Sequence, residues 1–202
     1  MNEESLIQDA KSGDLDAFNT LILHYQDSVF NVALRIMGDE DAAADAAQEA
    51  FISAFKGVAS FRGGSFKGWL MRIVTNACYD EIRRRKRRPT TPLEPETDDG
   101  EEMTSPRWLA DPNMTPDQQA EADEVEHAIQ HCLDNLPMDF KTVMVMADIQ
   151  GLDYAEVAKA VRAPLGTIKS RLARARLRMR ECLQGFAELL PANYRLEDGI
   201  NA

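Results

Sequence analysis

Apolar residues recur at spacings of three and four along most of this chain, which is the period of a helix with one buried face. The first such stretch begins near Asp16 and ends at Gly38, a residue type that can adopt the left-handed conformation closing a helix. The pattern therefore predicts one long amphipathic helix here. Its apolar positions are Phe18, Leu21, Ile22, Tyr25, Val29, Ala33, Ile36 and Met37.

Two further helices are predicted in the first half of the chain. One runs from about Asp41 to Gly57, and the next from about Ser65 to Arg88, where it ends in the basic run RRRKRR. The first half of this third helix is expected to pack and its second half to lie in water. The expected buried positions are Ala47, Phe51, Ala54, Phe55 and Val58 in the second helix, and Phe66, Trp69, Leu70, Ile73, Val74 and Ala77 in the third.

Residues 89–120 break this helical periodicity. They hold six of the nine prolines of the chain, interleaved with the acidic run EPETDDGEE. Proline removes backbone donors and the like charges repel one another, so no stable helix or strand is expected in this segment. The pattern predicts a flexible acidic linker over 91–120 between two small domains, 1–90 and 121–184, followed by a tail over 185–202.

Helical periodicity resumes after the linker. One helix is predicted around Val125 to Leu136, and another from about Phe140 that ends near Gly151. Asp153 and Glu156 form a capping-box pattern that opens a short helix through Val161. Thr167 is expected to cap the last helix, and no strand-like alternation occurs, so the predicted fold is all-α. The inward stripe of the last helix is Ile168, Leu172, Ala175, Met179, Leu183 and Phe186.

Charge is strongly segregated along the chain. The net charge is -11, yet residues 61–90 hold 9 basic residues against 2 acidic ones, and residues 157–180 hold 8 basic residues and no acidic one. The blocks on either side are acidic. Two basic patches in acidic surroundings indicate two separate contacts with nucleic acid.

The second basic patch lies on the last predicted helix. At 100° per residue, the basic side chains flank both edges of the apolar stripe, and Ser170, Ala173 and Leu177 point outward between them. Such a helix after a short helix and a Pro/Gly turn is typical of a major-groove reader. The alternatives are a solvated helix face or a surface for membranes or partners. The flanking residues are Arg171, Arg174 and Arg178 on one edge, and Lys169, Arg176 and Arg180 on the other.

Other functional classes find little support in the residues. Enzyme signatures such as HExxH, a phosphate-binding glycine loop and GxSxG do not occur, so no catalytic residue and no cofactor is implied. His127, His131 and Cys132 lie at helical spacing and could together bind zinc. A fourth ligand is not evident, so no metal site is expected. A classical helix-turn-helix regulator, which binds its operator DNA by itself, remains open as an alternative.

Compartment and redox state follow from similar patterns. No apolar run is long enough to span a membrane, so no membrane insertion is expected, and the acidic N-terminus lacks the pattern of a secretory signal. Cytoplasmic residence is the default expectation. Cys78, Cys132 and Cys182 are odd in number and form no CxxC pair, which favours reduced thiols over a disulfide framework.

Two motif blocks carry a family resemblance. The sequence YAEVAKAV followed by PLGTIKSRLARAR resembles region 4 of the extracytoplasmic-function group of sigma-70 family sigma factors. The stretch DAAADAAQEAFISAF, with the later FRGGSFKGWLMRIVTNACYDEIRRRKRR, resembles region 2 of the same group. Both blocks occur in the order of the family, and the linker lies where the group lacks region 3.

The resemblance implies a role for particular residues. Those that match the region 4 motif would read or hold the −35 promoter element: Thr167, Lys169, Ser170, Arg171, Arg174 and Arg178. The residues that would open and capture the −10 element as single strand are Arg62, Lys67, Arg72, Asn76, Arg83 and Arg84. Polar positions beside the apolar stripe of the second helix match the polymerase-binding positions of the family: Asp45, Gln48 and Glu49.

The resemblance also implies partners. These are core RNA polymerase, through the β′ clamp helices and the β subunit, together with promoter DNA and an anti-sigma factor. The linker would be either a plain tether or a segment threading the RNA-exit path, with Trp108 and Leu109 as a docking point. The loop at Gly63 and Gly64 is one residue shorter than the common family pattern, which would change the shape of the base-capture loop.

Overall fold

The computed structural model describes residues 2–87 and 115–189. All regular structure in these two ranges is helical, which confirms the all-α prediction. The first range holds four α-helices and a 3-10 turn over Val58–Ser60; the second holds four α-helices and a π-helical turn over Val145–Ile149. The helices are α1 Glu3–Lys11, α2 Leu15–Met37, α3 Glu40–Gly57, α4 Phe66–Arg87, α5 Pro116–Asp134, α6 Met138–Met144, α7 Tyr154–Val161 and α8 Leu165–Gln184.

Helix α1 has no counterpart among the predicted elements. Its nine residues bury only Ile7 and Ala10, too few to produce a clear period of their own. The Asn2 side chain accepts a hydrogen bond from the Ser5 backbone amide, at 3.3 Å, and two glutamates occupy the first turn, where the helix dipole favours negative charge. The cap and the packing on α2 together stabilise a helix that periodicity alone does not reveal.

Most of the predicted helix ends are confirmed. Gly38 closes α2 at φ 71°, in the left-handed region, and its backbone amide bonds to the Leu34 carbonyl. The capping box of α7 is present in both directions, with Asp153 Oδ1 2.8 Å from the Glu156 amide and Glu156 Oε2 3.0 Å from the Asp153 amide.

The predicted cap of α8 is wrong. The helix begins at Leu165, with Pro164 as the N-cap residue, and Thr167 lies inside the first turn. The Pro164 carbonyl accepts the amides of both Thr167 and Ile168. Because the proline ring already holds φ at -60°, the chain turns into the helix before the threonine is reached.

Helix α5 extends into the segment expected to lack regular structure. It begins at Pro116, where proline occupies the first helical position and loses no hydrogen bond, and Thr115 and Gln118 form a capping box. Residues 116–120 are therefore helical rather than part of the linker. Residues 91–114 of the predicted linker, with Trp108 and Leu109, lie outside the described residues.

Alanines line the buried face of α3 and let it pack closely against its neighbours. The prediction that Phe55 is buried is wrong, because its side chain is 50% exposed at the rim, with its ring 5.3 Å from that of Phe18. Phe51 is half-buried. The small side chains on the inner face are Ala42, Ala43, Ala46, Ala47, Ala50 and Ala54.

The two helical domains, α1–α4 and α5–α8, contact each other directly. Lys141 is buried, and its Nζ donates to the Ile36 carbonyl, at 3.2 Å, and to Asp134 Oδ1, at 2.7 Å. Arg35 forms an ion pair with Glu126, and its Nη1 donates to Gln130 Oε1 at 3.3 Å. The end of α2 is thus held by α5 and α6.

A second set of contacts joins α4 to the second domain. The Tyr79 hydroxyl lies 2.9 Å from Thr142 Oγ1, and burial raises the pKa of Tyr79. Lys67 Nζ donates to the Gln150 carbonyl at 2.6 Å. Both bonds come from α4, the helix expected to open promoter DNA. The two domains therefore pack directly against each other in this structure, which is called the closed arrangement below.

The expectation of three reduced thiols is wrong for two of them. Cys132 in α5 and Cys182 in α8 form a disulfide, with Cα atoms 5.7 Å apart. Cys78 in α4 is a free, buried thiol, and burial raises its pKa to about 12. Helix packing brings together two cysteines that are 50 residues apart, which spacing rules for local pairs do not detect.

Candidate nucleic-acid and polymerase interfaces

Helix α8 presents the geometry that its sequence predicts. Ile168, Leu172, Ala175 and Met179 are buried against the preceding helices, which leaves one long face in water. Ser170, Ala173 and Leu177 are exposed on that face, as expected. Leu183 and Phe186 are half-buried, and Phe186 lies just beyond the helix end.

Three basic side chains of α8 contact neighbours within the second domain. Arg171 Nη2 lies 2.5 Å from Asp139 Oδ2, and Arg178 stacks over the Phe140 ring at 5.3 Å. Arg176 forms two hydrogen bonds to Asp148, at 2.9 and 2.5 Å, and a third to Tyr154. The bonds to Asp148, and then to Tyr154, raise the pKa of Arg176.

The other basic side chains of α8 face solvent. Lys169, Arg174 and Arg180 are exposed and form no ion pair within the part of the chain that the structure describes. Thr167 is half-buried, and its carbonyl accepts a bond from the Ser170 hydroxyl at 3.0 Å. Lys169 and Arg174 therefore lie free at the N-terminal half of α8, the end that enters the groove in helix-turn-helix proteins.

The segment before and inside α4 forms a cleft lined by aromatic and basic residues. Gly63 and Gly64 have φ of 88° and 91°, a turn that favours glycine, and they line the cleft with Arg62 and Arg72. Trp69 is half-buried rather than fully in the core. Its ring lies 5.3 Å from Phe61 and 5.2 Å from Phe66, and it also lines the cleft.

Helix α7 covers part of this cleft, which the sequence does not predict. Glu156 and Lys159 line it from the second domain, together with Arg62 from the first. Lys67, predicted to follow the single strand, is instead bonded to Gln150 in the closed arrangement. The sequence signal at Glu156 is its part in the capping box of α7, and that signal does not predict that Glu156 lines the cleft.

Asn76 and Arg171 line one polar cavity of about 280 Å³ between the two domains. Asn76 is exposed on α4, and Arg171 reaches the cavity from α8. Two residues assigned by pattern to different promoter elements thus lie at a single site. Thr75 beside them is buried, and its hydroxyl has no hydrogen-bond partner in the described part of the chain.

The basic end of α4 is partly neutralised by its own acidic residues. Arg83 pairs with Asp80 at 3.0 Å, and Arg84 forms two bonds to Glu81, at 2.7 and 3.0 Å. The bond from Arg84, with that from Arg85, lowers the pKa of Glu81. Arg83 and Arg84 therefore carry less free positive charge than the run RRRKRR predicts.

Asp45, Gln48 and Glu49 lie together on α3, as their spacing predicts. All three are exposed and line a cleft of about 840 Å³ whose other wall is α4, with Asp80, Glu81 and Arg84. Ile52, 41% exposed, continues the same wall. The sequence reading missed Ile52, although its position four residues after Gln48 places it on the same helix face.

Comparison with known proteins decides the family. The sigma-70 region 2 family model matches residues 21–88, and the sigma-70 region 4 model matches residues 126–179. The RNA polymerase sigma-H factor of Pseudomonas aeruginosa is 33% identical over 187 residues, which cover 90% of this chain and 94% of that protein. The chain belongs to the extracytoplasmic-function group of the sigma-70 family.

Further relatives agree in sequence and in fold. The ECF RNA polymerase sigma-E factor of Haemophilus influenzae is 33% identical over 177 residues, 87% of this chain and 92% of that protein. The sigma factor RpoE of Bartonella quintana, solved with the anti-sigma factor NepR, has the same fold, with a TM-score of 0.65. Its identity is 24%, and the match covers 84% of this chain and 98% of that one.

The sigma-factor regions coincide with the two helical domains. Region 2 spans most of α2 and all of α3 and α4. It therefore holds the cleft between α3 and α4, here called the α3 cleft, and one wall of the cleft lined by Phe61 and Trp69, here called the aromatic cleft. Region 4 contains α6, α7, the C-terminal part of α5 (residues 126–134) and most of α8. The described residues contain no cluster of three potential metal ligands, and no helix among them is long and apolar enough to cross a membrane.

Proposed function

We propose that this sigma factor binds core RNA polymerase through the α3 cleft and recognises two promoter elements through separate domains. The observation that carries the proposal is the presence of three distinct surfaces. These are an acidic and apolar cleft on α3, an aromatic cleft before α4, and the basic helix α8, whose width fits a major groove. The chain itself performs no covalent chemistry in this proposal, because the polymerase is the catalyst.

The −35 element would be held by the N-terminal half of α8. Lys169 and Arg174 are exposed and would reach DNA without breaking an ion pair to any residue in 2–87 or 115–189. Arg171 would exchange its bond to Asp139, whose side chain is 57% exposed, for a bond to the DNA. An arginine at a guanine edge makes a bidentate pair, whereas the outer arginines, including Arg178, would touch phosphate.

The −10 element would enter the aromatic cleft as single strand. Unstacked bases bind to aromatic faces, and Phe61 and Trp69 lie at the cleft with Arg62 and Arg72 positioned for phosphates. Asn76 lies further along α4, where its side-chain amide could bond to the edge of a flipped base. Arg83 and Arg84 would extend the basic track after release from their acidic partners.

The closed arrangement cannot engage both promoter elements at once. By their numbering, the −35 and −10 elements lie about 25 base pairs apart, which is about 85 Å of duplex at about 3.4 Å per step. Asn76 and Arg171 instead line one small cavity. The two domains must therefore separate before the promoter is bound.

Opening of the two domains gives a testable expectation. The double substitution Arg35→Gln and Tyr79→Phe removes bonds that join the domains, so we expect a larger radius of gyration in small-angle scattering. We also expect tighter binding of a −35 duplex without polymerase. Arg85→Gln is the matched control, because Arg85 pairs with Asp39 and Glu81, both in the first domain. Equal radii for the double variant and the unaltered chain would contradict this expectation.

An anti-sigma factor is a further proposed partner. The sigma factor RpoE of Bartonella quintana, which shares this fold, was solved with the anti-sigma factor NepR. A similar partner would keep this chain inactive by covering the α3 cleft, where Ile52 and the acidic residues are exposed.

Run-off transcription tests the main proposal. Purified core polymerase should produce specific transcripts from a genomic fragment library only when this protein is added. Alignment of the upstream sequences would then reveal both promoter elements. If the protein alone protects defined DNA and neither binds core polymerase nor directs initiation, it is a helix-turn-helix regulator instead.

Charge reversal on α3 tests the polymerase surface separately. We expect Glu49→Lys to weaken binding to core polymerase by roughly 10-fold or more, because a like-charged or unpaired group at an interface core costs on the order of 2 kcal/mol. Glu4→Lys is the control, since Glu4 is also an exposed helical glutamate but lies on α1, outside the cleft. The affinity of each labelled variant for core polymerase measures the two effects. An equal loss of affinity in the two variants would contradict the assignment of the α3 cleft as the polymerase-binding surface.

A further inference from the structure

The disulfide between Cys132 and Cys182 is the feature of the second domain that the proposed function does not use. It joins α5 to the end of α8, with 50 residues between the two positions in sequence. Cys132 is 1% exposed, whereas Cys182 is only half-buried. A small oxidant or reductant would therefore reach Cys182 first.

The covalent loop encloses the DNA-reading unit of the molecule. Between the two cysteines lie α6, the π-helical turn, α7 and α8 up to its last turn. A crosslink around a complete folding unit restricts its unfolded chain most strongly, because it removes the entropy of a long open loop. The bond thus acts on the stability of the helix-turn-helix as a whole.

The bond also lies away from the predicted base contacts. Cys182 comes eight residues after Arg174, about 12 Å along the helix axis. Next to the bond, the His131 ring lies 5.6 Å from the Phe186 ring, so the turn after α8 packs back on α5. Joining the two sulfurs therefore leaves the N-terminal half of α8 free for DNA.

We propose that Cys132 and Cys182 form a reversible oxidation site that reacts with low-molecular-weight disulfides of the glutathione type. The Cys182 thiolate attacks one sulfur of the oxidant, releases one thiol and forms a mixed disulfide. The Cys132 thiolate then displaces the second thiol and forms the Cys132–Cys182 bond. Two protein thiols and one small disulfide thus become one protein disulfide and two small thiols, with two electrons passed to the oxidant.

The ability of the two cysteines to form a disulfide does not depend on the proposed function. The proposal that the pair alternates between the reduced and the oxidised state in the cell does rest on it. A chain that works with RNA polymerase shares a compartment with the thiol buffers that keep most cysteines reduced. The two cysteines would then be reduced while the glutathione pool is reduced, and they would form the disulfide when that pool is oxidised. Oxidation would make region 4 more resistant to unfolding without blocking its DNA contacts.

Thiol counting across a series of reduced-to-oxidised glutathione ratios tests the site in the full chain. We expect two of the three thiols to become protected from maleimide together, while Cys78 stays a free thiol that reacts with maleimide under denaturing conditions. Cys78→Ser should keep the paired loss, whereas Cys182→Ser should abolish it. The thermal midpoint of the second domain should rise by roughly 10–20 °C on oxidation, and this rise should vanish in Cys182→Ser.

Several results would overturn the proposal. These are three thiols that stay free in fully oxidised glutathione, a bond that includes Cys78, dimers linked between chains, or an unchanged thermal midpoint. Binding of a −35 duplex by polymerase loaded with the oxidised chain should stay within about threefold of the reduced chain. Loss of that binding with the correct pairing present would show that the bond blocks DNA rather than stabilises the domain. Since thiol counting needs no polymerase, failure of the sigma-factor proposal would leave the thiol result intact.

Discussion

Replacing Arg171 and Arg174 together by alanine is expected to lower the affinity of the polymerase-bound chain for its −35 duplex by about 100-fold or more. A bidentate arginine contact with a base is worth about 1–3 kcal/mol, and the two arginines proposed to make such contacts lie on one edge of α8. Loss of the Arg171 pair with Asp139 contributes little to this effect, because the Asp139 side chain is 57% exposed.

The same helix supplies a matched control for this substitution. Arg176 is also ion-paired and Arg180 also has no ion pair among the described residues, but the two lie on the opposite edge of α8 and nearer its C-terminal end. Their double alanine variant should lose roughly 10-fold, from phosphate contacts alone.

Sequence dependence, and not salt dependence, separates the two variants. Each should show a shallower dependence of affinity on salt, since each loses two positive charges. Only the Arg171 and Arg174 variant should lose discrimination between the cognate duplex and a scrambled one. Equal loss of discrimination in both variants would contradict the assignment of the first edge of α8 to base contacts.

Leu172→Ala is expected to destabilise the second domain by about 2–5 kcal/mol. Leu172 is 1% exposed and lies in the centre of the stripe that packs α8 on the preceding helices. Removing its side chain leaves a cavity that the neighbouring helices fill only in part. Urea unfolding of the reduced chain, in which the disulfide does not contribute, measures the change.

Leu177→Ala is the control for this measurement, because it makes the same substitution in the same helix. Leu177 is 54% exposed, so its removal should change the free energy of unfolding by less than about 0.5 kcal/mol. If the two variants unfolded at the same urea concentration, the assigned orientation of α8 would be wrong.

Much of the fold follows from periodicity alone. Long helices with several large apolar residues on one face, such as α2 and α8, can be identified because burying that face is their main source of stability. Strong local signals also succeed, as at Gly38 and in the capping box of Asp153 and Glu156. The family motifs then assigned the two domains and their order.

The errors have a common physical origin. Helix α1 and the first turns of α5 depend on a cap and on tertiary contacts more than on a stripe of their own. Phe55 was expected to be buried, but alanines let α3 approach its neighbours so closely that the phenylalanine falls at the rim. Thr167 is not the N-cap residue, because Pro164 takes that position and the helix begins before the threonine.

The amino-acid sequence by itself determined the helical class, the two domains, the charge segregation and the sigma-factor motifs, because these depend on neighbours within a few turns. Only the tertiary structure decided which charges are paired, since Arg174 and Arg176 look alike in sequence, but among the described residues only Arg176 bonds to an aspartate. It also decided the closure of the domains through Arg35 and Lys141, and the bond between Cys132 and Cys182. These contacts join residues 50 or more positions apart, and no local pattern encodes such a distance.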